Sequence, residues 1–120
     1  MEEIIRFLDE HGFSVYYERR NSLEALYYNI ILKDKSFDEI FEKVYFEKKV
    51  NDKNIYGLVV YREVASEKEG LKFYGDGKIY VTDGEFSGYK IDKITHNNYK
   101  VVIEHLLEQL KIWLKHLKAI

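Results

Sequence analysis

Eleven tyrosines fall in a 120-residue chain that has neither proline nor cysteine. Tyrosine joins an apolar ring to a hydrogen-bonding tip, so it favours half-buried strand faces and binding surfaces. Such a chain is directed towards a sheet with one wet side. Zero cysteines exclude disulfides, thiol catalysis and every cysteine-containing metal site, and the chain is long enough to build a core without such staples. At this length one domain, residues 1–120, is expected. An apolar fraction of 46% beside 33% charged residues suits a globular chain.

The chain divides into short elements. Residues 2–11 place Ile4, Ile5, Phe7 and Leu8 on one helical side, and Gly12 is a natural stop. Phe13 to Arg19 alternates as a strand does. Residues 24–33 fit a strand by propensity and a helix by the spacing of Leu23, Leu26, Tyr27, Ile30 and Ile31; the strand is preferred. Ser36-Phe37-Asp38-Glu39 has the form of a capping box, and Phe37, Ile40, Phe41 and Val44 follow at helical spacing, which predicts a helix from 37 to about 48. Ile55 to Val64 reads as a strand, and Leu71 to Ile94 as a meander with turns at Asp76-Gly77 and at 83–88. A long helix from about Asn98 to Ala119 follows. Its buried stripe is Ile103, Leu106, Leu107, Leu110, Trp113, Leu114 and Leu117. The expected architecture is α+β in the order αββαβββα. An antiparallel or mixed sheet of about five strands carries helices packed on one face.

The segment 71–82 allows the tyrosines to be placed. A three-residue loop Gly75-Asp76-Gly77 pairs Phe73 with Ile79 and Leu71 with Val81, leaving one face wholly apolar. The opposite face then alternates Lys72, Tyr74, Lys78 and Tyr80. Tyr16, Tyr27 and Tyr61 join this outer face when neighbouring strands align, whereas Tyr17, Tyr28 and Tyr56 point inward.

This Tyr/Lys face is the candidate binding surface, and three readings compete for it. Cross-strand Tyr–Lys pairs stabilise a solvated sheet face without any partner. Tyrosine is also favoured at protein interfaces, and rings flanked by lysines stack bases in single-strand-binding platforms. The net charge of −2 opposes the phosphate-dependent reading.

Nothing in the sequence forms a catalytic or cofactor signature. The four histidines, His11, His96, His105 and His116, are spaced as exposed or capping residues; eleven residues of helix separate the last two by roughly 16 Å, too far for one metal ion. Glu63 and Arg62 are unusual on an apolar strand, where they mark its outer face or end unless a carboxylate is buried, which would make it a catalytic candidate. No phosphate loop, calcium loop or nucleophile elbow is present. No cofactor and no metal are expected. The acidic, charge-broken N-terminus and the lack of an ~18-residue apolar run point to a cytoplasmic protein with no membrane span. High Lys and Glu with a single Met fit a thermophile, and an archaeon, its virus or an AT-rich bacterium are all open as the source. The expectation is a non-enzymatic adaptor or inhibitor that contacts another protein or a second copy of itself. Weak single-stranded nucleic-acid binding through the same face is the alternative, and a hydrolase whose acids the sequence does not distinguish is the third reading.

Overall fold

The computed structural model describes residues 1–20, 37–66 and 70–120. The expected strand at 24–33, with Tyr27 and Tyr28, lies outside the described residues, as does the Ser36 cap. Described in chain order are α1 (Glu2–Glu10), β1 (Ser14–Arg20), β2 (Phe37–Val50), β3 (Lys53–Ser66), β4 (Gly70–Thr82), β5 (Phe86–His96) and α2 (Tyr99–His116). The strands form one antiparallel sheet in the order β1-β2-β3-β4-β5. The α+β class stands. Among the described residues the order is αβββββα rather than αββαβββα.

Two elements correct the sequence reading. The expected helix at 37–48 is the strand β2. Its inward residues are Ile40, Glu42, Val44, Phe46, Lys48 and Val50, a period of two interrupted by two polar residues. Both interruptions have structural causes. Glu42 is buried beside Arg19 and the Met1 amino group, 3.8 and 3.7 Å away. Lys48 Nζ donates to the carbonyls of His11 and Ala119 at 2.7 and 2.8 Å, so one ammonium satisfies acceptors just beyond both helices.

The second correction is the hairpin at 71–82, which is one continuous strand, β4. Gly75 and Gly77 do not turn the chain; they clear space on its inner side. A β-carbon at Gly75 would come within 3.0 Å of Leu106, and one at Gly77 within 2.8 Å of Ile91. Glycine inside a strand marks such close approach. The pairing slips opposite Asp76, where Gly75 faces Ile94 but Gly77 faces Ile91, so β5 bulges at Asp92-Lys93.

Both helices lie on one side of the sheet. Ile4 and Leu8 of α1 and Val102, Leu106, Leu110 and Leu114 of α2 are fully buried with Val44, Ile55, Val59, Ile79 and Ile91. The Asn98 side chain caps α2 by accepting the Lys100 N–H at 3.0 Å. Leu107 and Trp113, expected in the buried stripe, are half-exposed at its margin; the Trp113 ring packs tilted at 44° against Tyr89, with centroids 4.9 Å apart.

Candidate binding face

Side chains alternate across a strand, so the pairings sort every residue onto the helix-covered inner face or the outer face. Lys72, Tyr74, Lys78 and Tyr80 all stand on the outer face, because β4 runs through 75–77 without changing parity. They are neighbours along one strand, not partners across a hairpin. Their true partners are Val64 for Lys72, Arg62 and Thr95 for Tyr74, Leu58 and Lys90 for Lys78, and Tyr56 and Gly88 for Tyr80.

The remaining tyrosines divide differently from expectation. Tyr16 is on the outer face, 62% exposed, its ring 6.0 Å from that of Tyr45. Tyr61 is not on that face: it pairs with Glu42 and Gly75, points under α2 and is only 1% exposed. Tyr56, expected inside, is outside and stacks on Tyr80 at 5.5 Å. β3 is apolar on both sides, with Ile55, Val59 and Tyr61 inward and Tyr56, Leu58 and Val60 outward, so alternation alone did not reveal which side was which. The inner side is marked by Gly57, where a β-carbon would come within 2.5 Å of the Phe46 ring.

The centre of the outer face is apolar. Tyr45, Leu58, Val60 and Tyr56 sit in adjacent positions of β2 and β3. Arg20, Lys43, Arg62, Lys72, Lys78 and Lys90 surround them on the same face, against Glu18, Glu47 and Asp76. This face is therefore basic although the chain as a whole carries −2. Phe41 lies between two of these cations, with Arg20 Cζ 4.6 Å and Lys43 Nζ 5.1 Å from its ring centroid.

Two clefts open along this surface. One of about 440 Å³ is lined by Phe41, Val60, Arg62, Tyr74, Asp76, Lys93 and Thr95. The bulge in β5 brings Lys93 to its wall, and the Arg62 guanidinium lies 5.8 Å from the Tyr74 ring centroid. Asp76 uses one oxygen to accept the Gly77 N–H at 2.8 Å. The other cleft, of about 530 Å³, lies between Tyr16, Tyr45, Glu47 and Tyr56.

The inner face holds a polar cluster that sequence reasoning missed, apart from noting Glu63. Tyr61 donates to Glu63 at 2.6 Å, and its ring meets those of Tyr99 and Phe73 at 5.4 and 6.4 Å. Burial, reinforced by the Glu63 hydrogen bond, pushes the Tyr61 phenol far above the ordinary tyrosine range. Tyr99 is raised by burial and then by the Glu3 and Glu42 carboxylates, and Tyr17 by burial and then by Glu42. Among the described residues the buried carboxylate is Glu42, and its neighbours give it a structural role: a cation on each side and a hydrogen bond from Tyr17. The inward parity of Glu42 in β2 was the available signal, once that segment is read as a strand.

Three histidines bond backbone groups. His11 Nδ1 lies 2.8 Å from the Phe7 carbonyl, His105 Nε2 lies 2.7 Å from the Asp92 carbonyl, and His96 Nδ1 accepts the Asn98 N–H at 3.0 Å. Among the described residues no group of three His, Asp or Glu could hold a metal ion, and no helix is long and apolar enough to cross a membrane.

No protein-family model, curated protein or solved structure matches this chain.

Proposed function

We propose that this protein is a non-enzymatic binding module that engages another protein through the helix-free face of its sheet. The observation that carries the reading is the make-up of that face: Tyr45, Tyr56, Leu58 and Val60 form an apolar centre, ringed by cations, over which no described helix packs. An apolar centre with a polar margin is the anatomy of a protein interface; here Tyr45 is exposed and Tyr56, Leu58 and Val60 are partly exposed.

The sheet's edges are poorer candidates. β1 presents Glu18, Arg19 and Arg20, and β5 carries a bulge with lysines beside it, the devices by which edge strands resist pairing. Single-stranded nucleic acid is the competing reading, supported by the cations and rings on the same face. Two features weigh against it. Tyr56 and Tyr80 stack on each other rather than leaving both ring faces open, and aliphatic Leu58 and Val60 give a base nothing to stack on.

The test is capture with immobilised protein, comparing the wild type with Leu58→Asp on the outer face and Ile112→Asp on exposed α2. A protein retained by the wild type and by Ile112→Asp but lost with Leu58→Asp supports the reading. Equal retention by all three refutes it, provided both variants keep the wild-type circular dichroism.

A further inference from the structure

The charge on the outer face narrows the partner, on the premise that this face is the contact surface. We infer that it accepts an acidic amphipathic segment of another protein, with one carboxylate of that segment anchored in the Phe41–Tyr74 cleft by Arg62 and Lys93. The chain carries −2 overall, yet Arg20, Lys43, Arg62, Lys72, Lys78 and Lys90 outnumber Glu18, Glu47 and Asp76 on this side. The helix side is more evenly charged: its six exposed acids, among them Glu104 and Glu108, stand beside Arg6, Lys100, Lys111, Lys115 and, just beyond α2, Lys118, all exposed. Complementary charge sets orientation and excludes wrong partners.

The same charge disfavours a second copy of this chain. A two-fold dimer places the same patch on both sides of its interface, so the cations of one face would oppose those of the other, and like charges set together are a repulsive element. The apolar centre still requires an apolar counterpart, which a purely acidic chain lacks. From Tyr56 to Arg62 the face runs about 20 Å along the strand, the length of about 13 residues of helix. A helix with leucines on one side and carboxylates on its flanks meets both demands.

The cleft supplies the anchor. Arg62, Lys93, Asp76 and Thr95 line its wall. Arginine matches a carboxylate in two-point geometry, and the Tyr74 ring beside the guanidinium helps hold its plane. The bulge at Asp92-Lys93 aims Lys93 into this wall, a use to which bulges are commonly put.

Isotope-labelled full-length chain is titrated with three probes: a 14-residue helical Leu/Glu peptide with leucines at i, i+3, i+4 and i+7, the same peptide with Lys for Glu, and oligothymidylate. The inference expects backbone amide shifts around Leu58, Val60, Tyr74 and Lys93 with the Glu peptide and none with the Lys peptide. Arg62→Glu with Lys93→Glu should weaken the Glu peptide at least about tenfold, and Lys111→Glu on α2 should leave it unchanged. Equal binding of both peptides at these residues overturns the acidic partner while leaving the face as a contact surface. Silence with both peptides overturns the inference, and the Leu58→Asp capture then judges the face on its own. Stronger shifts of the same residues with oligothymidylate overturn it in favour of nucleic acid.

Discussion

The Leu106 side chain lies directly on Gly75, so close that three of its carbons would stand 3.0 Å from a β-carbon added there. This contact sets how near α2 approaches β4, and it explains a glycine in the middle of a thirteen-residue strand. Gly75→Val should destabilise the fold by about 1–3 kcal/mol through overpacking. Gly88→Ala is the control. Its nearest neighbour would be Tyr80 at 3.6 Å, an ordinary contact, so its urea midpoint should match or slightly exceed that of the wild type.

Lys48 connects parts of the chain that are distant in sequence. Its ammonium bonds the His11 and Ala119 carbonyls and stands 5.4 Å from the Phe13 ring. Lys48→Met keeps the aliphatic stem and removes the charge and both hydrogen bonds. The expected loss is about 1–3 kcal/mol in urea unfolding. Lys49→Met, on the exposed face of the same strand, should change stability by less than about 0.5 kcal/mol.

Alkaline stability reports on the inner tyrosines. Tyr61, Tyr99 and Tyr17 all hold their protons more tightly when folded, chiefly through burial. Above the ordinary tyrosine pKa of about 10, the unfolded chain has released protons that the fold retains, so stability must fall as pH rises. Below that value the contribution is fully present. Urea midpoints should hold steady from pH 7 to 9 and drop beyond about pH 10. Tyr61→Phe should shallow the drop, and a slope identical to wild type would show that Tyr61 ionises freely in the fold.

Trp113 contributes less than a core aromatic. It is half-buried and packs on Tyr89 and His116 at the rim of α2. The sequence reading, which buried it fully, leads to a loss of roughly 3–5 kcal/mol for Trp113→Ala. Its observed position leads to about 1–3 kcal/mol, whereas Leu106→Ala should cost about 2–5 kcal/mol. Thermal or urea denaturation of the two variants side by side checks the order.

Local periodicity made α1, β1 and α2 legible, because each shows one apolar stripe of the correct period; β3 was legible as a strand from its β-branched and aromatic run, but not in which side faces inward. It failed where inward polar residues served distant partners. Glu42 and Lys48 broke the alternation of β2, and the reasons lie on Arg19, His11 and Ala119, which no window around β2 contains. Gly75 and Gly77 resemble a turn in isolation; only Leu106 and Ile91 reveal that they are spacers. The outer placement of Lys72, Tyr74, Lys78 and Tyr80 followed from an incorrect loop, since two short strands and one long strand give these four residues the same parity. The basic character of that face was hidden for another reason. Net charge is a sum over the chain, and acids elsewhere offset the cations of this one face.

The account rests most heavily on the outer face being the surface that meets a partner. Lysine acetylation footprinting of the protein, free and bound to a captured partner, tests this directly. Lys43, Lys78 and Lys90 on the sheet should react in the free chain and become protected in the complex, while Lys111 and Lys115 on α2 react equally in both. Protection confined to Lys111 and Lys115, with Lys43, Lys78 and Lys90 unchanged, would contradict it.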